Sequence, residues 1–258
     1  MLTKGAIMKS TIIILIAVLI AGCAMADTAK NSGRLASVEV ITDRGDVRAA
    51  HRDGHTFFSA PIGCEYSIVV RNHTGRRIVA ITTVDGLNVV DRSKGNWDGS
   101  GYVIDPYSKV EIKGFRRQDE FQFSERFTFN EARFSLAKRI GDVHNVGVIG
   151  VAVFEEYVPP PPKPVQYSAS SGFHDECARE SAPTAMKSRA GTEAGRTVND
   201  PVRRVNFRRA TDQPAEILAM FYDTESNLIS QGILPPPFDP PPAGFLSPFP
   251  QNYAKGTY

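Results

Sequence analysis

The segment NVGVIGVAVFEEY, residues 145 to 157, constrains the fold more than any other stretch. From Val146 to Phe154 it is apolar on both faces. Such a run is far shorter than the roughly 20 residues a membrane-crossing helix needs. A strand apolar on both sides must be covered on both sides, so this segment predicts a central strand. Gly147 and Gly150 would allow close packing there.

Other segments carry the two-residue period of half-buried strands. VEVIT (Val38 to Thr42) is a short strand, followed by an RGD turn. In EYSIVVRN, Tyr66, Ile68 and Val70 face one way while Glu65, Ser67 and Arg71 face the other. HTG, at His73 to Gly75, followed by RRIVAITTV, predicts a hairpin with that strand. YVID and KVEIKGF flank Asp105–Pro106, where proline bars a continuous central strand. EFQFSERFTF sets Phe121, Phe123, Phe127 and Phe129 at strand spacing. Asn130 to Gly141 is the best helix, with an asparagine cap, a Lys-Arg end and a closing glycine.

These elements predict a mainly β protein, an antiparallel β-sandwich over residues 36–157 with a short helix. Residues 158–199 read as a Pro-rich spacer (VPPPPKP) and an irregular loop. In 200–234, Ile217 to Tyr222 and Leu228 to Leu234 flank DTESN as an additional C-terminal β-hairpin docked on the sandwich. Residues 235–258 form a Pro-rich tail expected to be disordered.

The N-terminus indicates the compartment. After Met1 or Met8 and a lysine, Thr11 to Ala21 is an uncharged run of eleven residues, the length of a signal-peptide core. It ends in IAGC, which resembles a bacterial lipobox with Cys23 as the lipidated residue. On that reading residues 1–22 are the leader, 23–35 a flexible tether, and Ala24 after the cysteine favours the outer membrane. CAMA also permits cleavage after Ala24 or Ala26, which would release a soluble periplasmic protein. Loss of Lys4 and Lys9 with the leader leaves 28 basic residues against 28 acidic ones. That neutral balance argues against a nucleic-acid partner.

With Cys23 lipidated, Cys64 and Cys177 remain, either disulfide-bonded across a long loop or as two isolated thiols. No GxSxG, HExxH, P-loop or strand-helix GxGxxG motif occurs, so no catalytic residue, metal or cofactor is assigned. His51 and His55 have helical ligand spacing, but Gly54 makes exposed loop histidines the better reading. HDEC, His174 to Cys177, would need distant groups to complete a metal or thiolate site. Asp85 and Asn88 fit turn chemistry. A hydrolase or redox site assembled from Asp85, His144 and Cys177 is the enzymatic alternative.

The contact candidates are Trp97, in the polar loop SKGNWDGSG, and Arg203, Arg204, Arg208 and Arg209 of RRVNFRR. Trp97 alternatively caps one end of the sandwich. At strand spacing Val205 and Phe207 share a side, so RRVNFRR reads as a solvated edge with an apolar face. Its arginines would meet an envelope protein, lipopolysaccharide phosphates or anionic lipid.

YSIVVRNHTGRRIVAITTVDGLNVV, SGYVIDPYSKVEIKGFRR, NVGVIGVAVFEEY and FRRATDQPAEILAMFYDTESNLISQGIL together resemble a group of uncharacterised exported proteobacterial β-rich proteins. The likeness spans about residues 62 to 234 and implies export and one joint architecture that includes the late hairpin. It implies no catalytic residue. Where that group often carries a Gly-His-Gly-like stretch, this chain reads GTEAGR, Gly191 to Arg196. The expected function is a non-enzymatic cell-envelope lipoprotein, a binding or structural module anchored to the membrane and facing the periplasm.

Overall fold

Alternating apolar residues drive about half of the described residues into strands, and the computed structural model arranges them in two sheets. It describes residues 29–45, 47–117, 120–141, 144–159 and 188–237. The leader with Cys23, the spacer with His174 and Cys177, and the end of the Pro-rich tail lie outside the described residues.

Among the described residues the strands run in order as follows: β1 (Lys30–Ser32), β2 (Ala36–Thr42), β3 (Ala49–Arg52), β4 (His55–Ser59), β5 (Glu65–Asn72), β6 (Ile78–Val84) and β7 (Leu87–Asn88). Then come β8 (Tyr102–Ile104), β9 (Lys109–Ile112), β10 (Gly114–Arg117), β11 (Glu120–Glu131), β12 (Val148–Glu155), β13 (Ala190–Asn199) and β14 (Glu216–Asp223). The first sheet has the order β1-β2-β5-β11-β10, with β9 also on β5 and β13 also on β11. The second has the order β3-β4-β14-β12-β6-β7, with β8 also on β6. Every pairing is antiparallel except the parallel one between β4 and β14.

The expected central strand is β12, held between β6 and β14, with Val151, Val153 and Phe154 buried. Between the sheets lies an aromatic core. Tyr66 stacks on Phe129 with centroids 4.0 Å apart, and Phe129 meets Tyr222 of the opposite sheet at 5.3 Å. Each such buried ring is worth about 1.5–3 kcal/mol through the water it sheds. Gly114 of β10 lies opposite Arg126 of β11, and a Cβ there would overlap the Glu125 carbonyl. Gly114→Ala is therefore expected to destabilise by about 1–3 kcal/mol, read from the urea midpoint, because backbone rather than a pliable side chain must move.

Several expectations are corrected. β5 and β6 do not form a hairpin: β5 lies in the first sheet and β6 in the second. Turn chemistry shows that the chain reverses but not whether it stays in one sheet. Here Asn72 fastens the corner, donating to the Arg76 and Asp105 carbonyls at 2.7 and 3.0 Å and accepting from the Thr74 N–H at 2.8 Å. Residues 190–199, read as irregular loop, form β13, which pairs with β11 from Glu131 back to Phe123. Its sequence AGTEAGRTVN lacks a strand signature because its partner supplies the bulky residues. The tether also contributes structure. Lys30–Ser32 is β1, paired with β2, and Glu216 accepts the Arg34, Leu35 and Ala36 N–H groups.

The late hairpin is half correct. β14 exists, but it inserts between β12 and β4, and Glu225–Ser230 then forms a short helix. Thr224 caps that helix, accepting the Asn227 N–H at 3.3 Å, so local capping overrides the strand-like Leu228 and Ile229. The expected 130–141 helix shrinks, because β11 continues to Glu131. A 3-10 turn follows at Ala132–Phe134, and a single helical turn at Leu136–Arg139 is capped by Ser135.

Candidate functional site

RRVNFRR is not a strand. Residues 200–210 form a strap that leaves the first sheet and ends on the second. At its start, the Asp200 and Val202 N–H groups donate to the Gln122 and Phe121 carbonyls at 2.7 and 2.9 Å. At its end, the Tyr157 N–H donates to Arg208 and the Ala210 N–H to Glu155, at 2.8 and 2.9 Å. Midway, Phe207 packs on an apolar patch of Val79, Ile81, Ala152 and Phe154, and Val103 packs against the same patch.

The start is locked by a buried ion pair. Arg116 of β10 is 3 % exposed and meets Asp200 Oδ2 at 2.7 Å, also donating to the Asp200 carbonyl. Its Nε donates to the Tyr102 hydroxyl at 3.0 Å, and Ser124 donates to the same Asp200 oxygen at 3.1 Å. Arg116 thus joins the strap, β10 and β8, which belong to different sheets.

Strap and sheets enclose a groove of about 1500 Å³. Among the described residues six arginines but only two aspartates, Asp91 and Asp105, line it. Of these, Arg77 pairs with Glu156 at 2.7 Å and with Asp105 at 3.5 Å. Arg204 lies 4.5 Å over the Phe121 ring and Arg209 lies 4.4 Å over Phe154. Among the described residues neither Arg203 nor Arg204 has a carboxylate partner. Arg208 stands outside the groove with its guanidinium 4.0 Å over Tyr157. Trp97 is 45 % exposed in the bordering loop, which Arg209 pins by donating to the Trp97 carbonyl at 2.6 Å.

A second polar cluster lies in the core. Asp85, at φ +53° in the β6–β7 turn, is 1 % exposed. Its carboxylate accepts the Gly147 and Thr192 N–H groups at 2.8 and 2.7 Å and the Tyr222 hydroxyl at 2.5 Å. Thr192 Oγ1 then joins the Tyr222 and Tyr66 hydroxyls at 2.6 and 2.7 Å. Desolvation pushes the Asp85 carboxyl up to about 6 despite these donors, and pushes both phenols well above their usual range. Both carboxylate oxygens are occupied, so Asp85 holds the sheets together and faces no substrate.

His144, its expected companion, is exposed, and Cys177 lies outside the described residues. Asn88 serves its turn, accepting the Val90 N–H at 2.8 Å and donating to the Ser100 carbonyl at 2.9 Å. His51 and His55 are not loop residues; they belong to a β3–β4 hairpin turned by Asp53 and Gly54, both at positive φ. Cys64 carries no disulfide. It is a fully buried free thiol whose pKa burial raises, packed as a small apolar residue. Among the described residues no three His, Cys, Asp or Glu side chains converge on a metal position.

Arg77, Arg116 and Phe121 line the groove and Asp200 anchors the strap over it, and sequence reasoning missed all four. RR and DP pairs are common, and only the strap's route brings these four together. Comparison with protein-family models, with curated proteins and with solved structures returned no match. The class is therefore defined by architecture alone: a two-sheet β-sandwich with a strap that runs from one sheet to the other.

Proposed function

We propose that this chain is a non-enzymatic binding module of the bacterial cell envelope. In this reading it is held at the membrane through lipid on Cys23, and the groove beneath the strap is its binding site. The observation that carries the reading is the groove lined by six arginines and two aspartates. Arginine's planar fork of donors is suited to planar or tetrahedral anions, and a site left rich in it is expected to meet one. The leader and the resemblance to exported proteins support the compartment. The sealed carboxylate of Asp85 is one reason not to read an active site there.

Two experiments test the proposal. The full chain, expressed in a Gram-negative host with labelled palmitate, should take up label that a Cys23→Ala variant does not. Label in neither, with a shortened soluble product, would replace the anchored protein by a freely diffusing periplasmic one. A photo-crosslinking residue at Val205, which is 42 % exposed on the strap, should capture a ligand or partner in intact cells. Repeated failure of capture there would remove the groove as the binding site.

A further inference from the structure

We infer that the groove takes an amphiphilic phosphate monoester, the phosphorylated head of a lipid together with the first part of its apolar body. The inference rests on the groove being the binding site, and names what it binds.

Most of the groove arginines already have partners. Arg116 is neutralised by Asp200, Arg77 by Glu156 and Asp105, and Arg209 donates to the Trp97 and Gly99 carbonyls with Asp98 3.9 Å away, while Arg117 also has a partner. The Asp91 carboxylate accepts from the Ser93 N–H at 2.9 Å and from its hydroxyl. Arg203 and Arg204 are left adjacent, exposed and without a carboxylate among the described residues. Arg204 uses the face of its guanidinium on Phe121, which keeps the N–H donors at its edge free. Both line the groove, and guanidiniums presented there match a phosphate monoester, whose charge at neutral pH is about −1.5 to −2.

An apolar wall lies in the same groove as those charges. Phe121 and Val205 line the same groove and are 39 % and 42 % exposed, with Val110 and Val202 next to them. Inorganic phosphate would satisfy the guanidiniums and leave this wall wet. A neutral lipid would cover the wall and leave the arginines unmatched. Only a ligand carrying both parts uses the whole surface.

The test titrates the full chain, purified in a neutral maltoside detergent, with dihexanoyl phosphatidic acid. Emission of the single tryptophan, Trp97, reports binding from the loop that Arg209 pins to the strap. Saturable binding is expected, weakened about tenfold or more in Arg203→Gln/Arg204→Gln, as loss of charge-assisted hydrogen bonds implies. Both positions are exposed, so the variant should melt with the wild type. A Val205→Asp variant probes the apolar wall and should weaken binding as well.

Dihexanoyl phosphatidylcholine, which lacks the monoester charge, and inorganic phosphate, which lacks the apolar body, should each bind at least about tenfold more weakly. Equal binding of the two lipids, equal binding of inorganic phosphate, or an unchanged arginine variant would overturn the inference. If phosphatidic acid fails while crosslinking at Val205 still captures a partner in cells, the ligand class is wrong and the binding module stands. If both fail, the groove reading falls with it.

Discussion

Asp85→Ala is expected to destabilise the protein by about 4 kcal/mol in urea unfolding at neutral pH. The substitution leaves the Gly147 N–H, the Thr192 N–H and the Tyr222 hydroxyl without their acceptor. All three lie in the core, and a buried donor left unmet costs about 1–3 kcal/mol. The alanine must also hold the positive φ of the turn, which aspartate and asparagine tolerate better. A loss below about 1 kcal/mol would mean that water reaches these donors and the cluster is not sealed.

The same carboxyl carries a pH signature. Burial raises its folded-state pKa to about 6, above the unfolded value of roughly 3.9. The folded state therefore holds this proton more tightly than the unfolded state. The stability it contributes is full below about pH 4 and is lost as pH rises through about 6, a change of about 3 kcal/mol. Glu65 works in the opposite sense and at lower pH, because its hydrogen bond to Arg196 holds its pKa below the usual value. From about pH 4 to 6 the Asp85 contribution dominates. Asp85→Asn should flatten the profile there, whatever its effect on total stability. An unchanged slope in that variant would assign the pH dependence to another group.

The second large effect is expected at the strap's lock. Asp200→Ala leaves the Arg116 guanidinium buried with the Tyr102 hydroxyl as its main remaining side-chain partner. Breaking one half of a buried pair costs about 3–5 kcal/mol, most of it the penalty of the stranded charge. The double variant Arg116→Met/Asp200→Leu removes both charges and should recover most of the loss. A double-mutant cycle measures the difference. If the single and double variants are equally unstable, the pair's charge is not what holds the strap, and shape at that position is. Because Asp200 begins the strap, its loss should also weaken binding in the groove beneath it.

How much of this was legible in the sequence varies by element. Tyr66, Ile68 and Val70 announced their shared face, and the Val146 to Phe154 run announced a strand covered on both sides, because side-chain alternation is a local property. β13 was illegible for the converse reason. An edge strand of small and polar residues owes its form to its neighbour, and the hydrogen bonds that β11 offers override weak intrinsic preference. The late hairpin failed because Leu228 and Ile229 suit a strand as well as a helix, and the Thr224 cap decided between them.

The candidate site divides in the same way. RRVNFRR was visible as a basic stretch with an embedded aromatic ring. Its meaning was not, because the arginines act through Phe121, Tyr157 and Phe154, which lie at least 50 positions away in the chain. The turn role of Asp85 was readable from the Asp-Gly pair. Its bond to Thr192, 107 residues away, was not.

By itself, then, the sequence determined that the chain is mainly β and which residues of its alternating strands face a core. These follow from periodicity and composition within a few residues. Only the tertiary structure decided which strands share a sheet, that Cys64 stays a free buried thiol, and that a strap closes a cationic groove. Those outcomes depend on contacts between distant segments. Alternation specifies which side of a strand is buried, but many partners satisfy it equally well, and the choice among them is made by packing the whole chain at once.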